Sequence, residues 1–187
     1  LIIALIITSV GAVSAVAYAT NLGTRSEINK QTGLNINRLA ERLSNEIVNS
    51  LEAQIGIIKT EGSHFAEQMV QVNSQYTGST ADIVNQIQSL DQSWINSPEN
   101  SQLMISVLAN SSASELRQFQ SISPQHVEVF FTDKYGALIA ASTRTSDYYQ
   151  ADEEWWQTAY NNGQGAIYIG QPELDESSNI YAVNLAV

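Results

Sequence analysis

The chain has 187 residues, the length of one ordinary domain with added segments, and carries a formal net charge of −11 with a pI near 4.4. This acidity argues against binding to nucleic acid or to anionic lipid, which both need a clustered basic face. The absence of cysteine excludes disulfides, thiolate metal sites and cysteine nucleophiles. Because the chain begins without Met and stops inside a predicted strand, we expect it to be part of a longer protein.

Residues 1–19 form an apolar run that contains no charge. As an α-helix this run would be roughly 28 Å long, close to the ~30 Å thickness of a hydrocarbon core. We therefore predict a transmembrane helix in the cell membrane, with the rest of the chain periplasmic or extracellular. A cleaved signal peptide is the alternative, since Ala17-Tyr18-Ala19 fits an A-x-A cleavage site. The basic residues that follow the run leave its orientation open.

Residues 20–76 are predicted to form a long stalk helix, because apolar residues recur there every three or four positions without a proline. The apolar positions are Ile36, Leu39, Leu43, Ile47, Leu51, Ile55, Ile58, Phe65, Met69 and Val72. Such a helix is longer than a small domain can cover. We expect its first half to pair with a second copy in a homodimer and its second half to be a core helix.

Residues 77–124 are predicted to be a helical connection. The first of its helices is indicated by Ile83, Ile87, Leu90 and Trp94 and ends before Pro98, and the second is indicated by Leu103, Val107 and Leu108.

In residues 125–187 the apolar period changes from 3.6 to 2, which marks strands. A strand over 127–132 leads through a turn at Asp133 and Gly136 to a return strand at 138–141. Next come a helix starting at Asp152, strands at 165–170 and 179–187, and a loop at 172–178 between these two strands. The predicted fold class is α+β, a mostly antiparallel sheet with a helix over one face.

This last third resembles the membrane-distal module of double Cache sensor domains, the PAS-like extracellular domains of bacterial and archaeal receptors. The matching segments are FTDKYGALIA at 131–140, the Trp155-Trp156 pair, GAIYIG at 165–170 and the acidic loop at 175–178. The resemblance implies that residues 125–187 are a Cache lobe, incomplete at its C terminus. It also implies a receptor with a chemotaxis, histidine kinase or cyclase output and a ligand held between the sheet and residues 146–160.

The resemblance also implies which residues contact the ligand. In the amino-acid-binding branch of the family an aromatic residue is followed five positions later by arginine, and then by a tryptophan beside another aromatic. Here Tyr148 holds the first position, Trp155 and Trp156 the pair, and Asp175 the late acid, but Glu153 replaces the arginine. A glutamate repels a ligand carboxylate, so this set together with Tyr168 favours an organic cation. A neutral molecule and a purely structural lobe without ligand remain as alternatives.

Several of these residues also have simple structural explanations. Glu153 fits a first-turn carboxylate that complements the helix dipole, Asp175 a loop cap, and Trp156 an i,i+4 packing contact with Tyr160. Asp133 fits a turn residue.

Other functional classes receive little support from the sequence. It contains no G-x-S-x-G, phosphate-loop or HExxH motif, so we expect no catalysis within it and no cofactor. No metal site is expected, since His64 and His126 lie far apart in sequence and the loop after Asp175 lacks the ligand spacing of a calcium loop. The alternative function is structural, as a pilin-like or non-sensing anchored domain.

Overall fold

The computed structural model describes the backbone of residues 2–175 and 180–187, and the side chains of residues 2–13, 15 and 175 lie outside that description. The predicted transmembrane helix at residues 1–19 and the predicted loop at 172–178 therefore fall partly outside the described residues. In the part of the chain that is described, no helix holds a stretch long and apolar enough to cross a membrane.

The fold is α+β, and its contacts divide the chain into a first unit, residues 1–52, and a second unit, residues 53–187. The helices are α1 (Ile2–Gln75), α2 (Thr80–Asn96), α3 (Gln102–Leu108), α4 (Ser111–Ile122) and α5 (Glu154–Tyr160), and α5 runs into a 3-10 turn (Asn161–Gly163). The strands are β1 (Phe130–Thr132), β2 (Leu138–Ala141), β3 (Tyr168–Ile169), β4 (Glu173–Asp175), β5 (Ile180–Ala182) and β6 (Leu185–Ala186).

In the first unit, α1 carries its predicted apolar stripe on the surface. Ile36, Leu39, Leu43 and Ile47 are between 46% and 61% exposed. Within the described residues of this unit, no side chain covers the stripe enough to bury it.

In the second unit, β2 is the centre of the core. All four of its residues are buried, as expected for a short apolar strand covered on both faces. Leu138 and Ala141 belong to a cluster with α2 and α3, whereas Ala140 belongs to a cluster with α4 and Phe65 of α1. The small side chains at 140 and 141, both fully buried, allow these helices to approach the strand closely.

The β1–β2 pair contains a β-bulge. Its register shifts by one residue between Phe131 and Thr132, which leaves Ile139 of β2 as the extra residue. The Ile139 carbonyl accepts a hydrogen bond from Asn110 Nδ2 at 2.8 Å. Asn110 is also the N-cap of α4, where its Oδ1 accepts from the Ala113 amide at 2.8 Å. The Asn110 side chain therefore caps the start of α4 and also pairs with the backbone carbonyl of the bulged residue in β2.

Helix α2 ends at Asn96, before Pro98, as its sequence predicts. Ser79 and Asp82 form a capping box at its start, and Ile83, Ile87 and Trp94 are buried. Trp94 is completely buried, and its Nε1 donates to the Thr145 carbonyl at 3.0 Å. Leu90, which was predicted to lie on the same apolar face, is 40% exposed.

The predicted single sheet is wrong. Among the described residues there are three separate antiparallel pairs, β1 with β2, β3 with β6, and β4 with β5. An isolated bridge between Ala137 and Tyr149 adds one more pairing beside β2. The strands are only two to four residues long.

Several predicted boundaries also change. The predicted loop at 172–178 contains β4, and the predicted strand at 179–187 is divided into β5 and β6. The helix expected to start at Asp152 starts at Glu154, so Glu153 is its N-cap rather than a first-turn residue. Helix α4 was not predicted, because its serine-rich start shows little apolar periodicity.

Candidate functional site

Helix α5 packs on β1 through both of its tryptophans. The Trp155 ring meets Phe130 edge to face, with 5.6 Å between the ring centroids. Trp156 Nε1 donates a hydrogen bond to Thr132 Oγ1 at 2.9 Å. Phe130 and Thr132 are two positions apart on one strand and therefore share a face. Both indoles are half-buried, so each keeps some surface for a ligand.

One face of Trp156 is occupied by its own helix. The Trp156 and Tyr160 rings are stacked, with 4.6 Å between centroids and an angle of 23° between planes. This is the i,i+4 packing contact that the sequence left open as an alternative to a ligand cage. The stack fixes the indole, so a ligand at Trp156 has access to its edge and its remaining face only.

Tyr148 lies in the core, beside Trp94 of α2. It is 8% exposed and packs near Trp94, at 5.9 Å between ring centroids. Its amide donates to Asp91 Oδ1 at 2.8 Å, which attaches the segment to α2. Burial and the nearby Asp133 carboxylate raise the pKa of Tyr148 to about 12. Tyr148 is therefore neutral at physiological pH and held from several sides.

Acidic side chains gather before the start of α5. Glu153 is exposed, and its pKa is raised by partial burial and then by the charges of Asp152 and Asp147. Its side chain makes no capping hydrogen bond to α5. Burial is the first cause of the raised pKa, and repulsion between these carboxylates adds to it. A bound cation would relieve that repulsion.

The remaining predicted residues lie on the C-terminal strands. Tyr168 is half-buried in β3, where it pairs with Ala186 of β6, and both strands pack against α5. Asp175 is the last residue of β4, and its side chain lies outside the described residues. Of the residues predicted to bind the ligand, Trp155 and Trp156 therefore lie together on α5, and the strand that carries Tyr168 packs against this helix.

A buried carboxylate joins the β1–β2 turn to the end of α1. Asp133 is 3% exposed, and its Oδ1 accepts from the amides of Tyr135 at 2.8 Å and Ala137 at 3.0 Å. Its Oδ2 accepts from the Tyr76 hydroxyl at 2.5 Å. The prediction that Asp133 supports a turn agrees with this geometry. The tertiary bond to Tyr76 has no signal in the sequence, since 57 positions separate the two residues.

Phe130 and Thr132 were also missed as part of this site. Phe130 lies on the face of β1 opposite to Val129 and Phe131, which pack on the α1–α4 side of the core. An aromatic residue on the second face of a strand indicates that this face is covered too. That signal indicates a covered face but does not identify α5 as the element that covers it.

A surface groove of about 370 Å³ lies elsewhere in the second unit, between α1 and α4. It is lined by His64, Phe65, Glu67, Gln68, Gln71, Ser111, Ser112 and Glu115. His64 Nε2 and Glu115 Oε2 are 2.8 Å apart across it. The lining includes none of the residues that the sequence singled out for ligand binding.

In the described part of the chain, no three His, Asp or Glu side chains are placed to hold a metal ion. Comparison of the chain with protein-family models, with curated proteins and with solved structures finds no match.

Proposed function

We propose that this chain is the extracytoplasmic sensing domain of a transmembrane signal-transduction receptor, built on a PAS-like Cache lobe, and that it binds a small molecule beside α5. The observation that carries the proposal is the pair of half-buried tryptophans on α5 next to a group of carboxylates that repel each other. Binding rather than catalysis is the proposed role of this chain. Its output is a chemotaxis, histidine kinase or cyclase module.

The proposed ligand is an organic cation such as an amine. Indole faces bind cations through cation–π attraction, and nearby carboxylates add charge pairing. Asp147, Asp152 and Glu153 supply the negative charge, and Trp155 and Trp156 supply the aromatic surface. Ligand binding favours the arrangement in which α5 is closed on β1 and thereby shifts the population of the receptor's states.

The membrane attachment and the dimer are further parts of the proposal. The apolar run at residues 1–19 is the proposed transmembrane helix, with the second unit outside the cell membrane. The exposed stripe of Ile36, Leu39, Leu43 and Ile47 supports pairing of α1 with a second copy.

A thermal-shift screen of the full chain in detergent tests the sensing role. The screen covers amines, amino acids, organic acids and purines. A ligand at 100 times its Kd adds about 2.7 kcal/mol of stability, which raises Tm by several degrees. We expect stabilisation by an amine, reduced in Glu153→Gln and retained in Glu154→Gln, its neighbour in sequence.

Stabilisation by a carboxylate instead would contradict the cation assignment and keep the sensing role. If no class of compound changes Tm, the sensing role is wrong and a structural lobe is favoured.

A further inference from the structure

The tryptophan pair of α5 and the end of α1 contact the same turn. Trp156 Nε1 donates to Thr132 Oγ1 at 2.9 Å, and Thr132 is the last residue of β1. The next residue, Asp133, accepts from the Tyr76 hydroxyl at 2.5 Å. Tyr76 directly follows α1, which ends at Gln75. Only one peptide unit thus separates the contact with α5 from the contact with α1.

A second bond joins the turn to α1. The Lys134 amide donates to Asn73 Oδ1 at 3.2 Å, inside the last turn of the helix. The Tyr76 ring also meets Tyr135 edge to face, with 5.1 Å between centroids. Three consecutive residues after Thr132 therefore contact α1 or the residue that follows it.

The turn is held together by hydrogen bonds to a buried carboxylate. Asp133 is buried, and its Oδ1 accepts from two amides of the turn, which fixes the backbone around the carboxylate. Burial, the hydrogen bond to Asp133 and its charge all raise the pKa of Tyr76 well above the usual range, so the phenol remains a donor. The bulge beside Thr132 is a feature that redirects side chains near functional sites.

We propose that the β1–β2 turn is a relay in which Thr132, Asp133 and Tyr76 couple the position of Trp156 on α5 to the C-terminal end of α1. This inference rests on the proposed sensing role of α5 and specifies how that site is read out. Thr132 and Tyr76 are positioning residues, because each acts through a neighbour. A ligand that shifts Trp156 would pull on Thr132, and the turn would transmit the shift to Tyr76 and Asn73.

A double-mutant cycle without ligand tests the relay. Trp156→Phe keeps an aromatic ring and removes the donor to Thr132, and Tyr76→Phe removes the donor to Asp133. We expect the two changes to be non-additive by about threefold or more in the unfolding equilibrium constant. Trp155→Phe is the matched control, because its indole contacts Phe130 and not the turn. When Trp155→Phe is combined with Tyr76→Phe, the effects on the unfolding equilibrium constant should be additive within about twofold.

Hydrogen exchange provides a readout that a merely structural role of Trp156 would not move. In Trp156→Phe we expect faster exchange at the amides of Lys134, Tyr135 and Ala137, whereas Trp155→Phe should leave them unchanged. Equal additivity in both cycles, with unchanged exchange at these amides, would overturn the relay.

These outcomes are distinct from those of the ligand screen. Non-additive cycles, together with a screen in which no compound changes Tm, would support the coupling through the turn and reject the sensing role. A ligand that binds beside α5 in a protein with additive cycles would reject the relay alone.

Discussion

At the scale of the residue, Gly136 is the position where the turn tolerates least change. Its φ is +85°, and a Cβ there would lie 2.5 Å from both Cβ and N of Ala151. Gly165 has a similar φ of +73°, and a Cβ there would have no atom within 4 Å. A substitution at Gly165 therefore measures the cost of the backbone conformation alone. We expect Gly165→Ala to cost about 1–2 kcal/mol, and Gly136→Ala to cost about 1–3 kcal/mol more through overlap. Urea midpoints measure both, and equal losses would contradict the close contact.

The charge of Glu153 gives a second prediction at this scale. Its raised pKa means that the ionised side chain disfavours the folded state. This penalty is fully present above the folded-state pKa and disappears as the pH falls below the unfolded value. Glu153→Gln should therefore not lower the Tm at pH 7, and its free energy of unfolding should change by no more than about 0.5 kcal/mol. The same variant should bind the amine more weakly. A clear loss of Tm in Glu153→Gln would show that the carboxylate has a stabilising partner.

His126 predicts how stability changes in acid. Its ring stacks on Phe119 at 5.0 Å, and both ring nitrogens are buried without a hydrogen-bond partner in the described part of the chain. Burial lowers the pKa of His126 below its usual 6.5. The unfolded chain then binds the proton first, so stability falls as the pH drops below about 6.5.

His126→Phe keeps the stacked ring and removes the titration. The loss of unfolding free energy between pH 7 and pH 5 should shrink in this variant, by at most about 1.4 kcal/mol per pH unit. His64→Gln removes the other histidine, whose ring is exposed, and should keep the loss in acid. An identical pH profile in wild type and His126→Phe would show that the ring is not the acid-sensitive group.

At the scale of the element, Asn110 joins α3, α4 and β2. Beyond its bonds to Ala113 and Ile139, its Nδ2 donates to the Ser106 carbonyl at 2.8 Å. We expect Asn110→Ala to cost about 2–3 kcal/mol, as the sum of a lost N-cap and an unsatisfied buried carbonyl. Ser101→Ala removes only the N-cap bond of α3 and should cost about 1 kcal/mol. If Asn110→Ala and Ser101→Ala lose the same free energy of unfolding in chemical denaturation, Asn110 does not stabilise the bulge.

The same elements show what the sequence could and could not predict. Helices α2 and α3 were predicted because their apolar spacing is a local signal. The capping role of Asn110 in α4 is local too, but only Leu116 and Phe119 follow it as large apolar residues before Ile122, so no stripe marked the helix. The strands were predicted by alternation, whereas their division into three pairs depends on which segments meet in space.

The residues of the candidate site also divide into those that local sequence signals predict and those that only tertiary contacts determine. The presence of Trp155 and Trp156 on one helix could be predicted, because the helix has a local start and end. Their partners Phe130 and Thr132 could not be assigned without the fold. Tyr148 illustrates the cause: its sequence position matched a ligand contact in the resembling family, but packing against Trp94 places it in the core. Spacing gives no information on which tertiary neighbour an aromatic side chain meets.

At the scale of the whole molecule, the exposed stripe of α1 predicts self-association. Ile36, Leu39, Leu43 and Ile47 follow one another at three or four positions, and each is at least 46% exposed. Burying one leucine stabilises an interface by about 1.5–3 kcal/mol, which corresponds to a tenfold or larger change in Kd. We therefore expect α1 to pair with a second copy of the chain through these leucines.

Leu39→Asn combined with Leu43→Asn should raise the dimer Kd by about a hundredfold or more in sedimentation equilibrium. Glu41→Asn, on the opposite side of the helix, should leave the Kd unchanged. The substituted leucines lie in the first unit, so the Tm of the second unit should change only because a smaller fraction of the chain is dimeric. A wild-type chain that remains monomeric at every concentration would contradict the proposed homodimer.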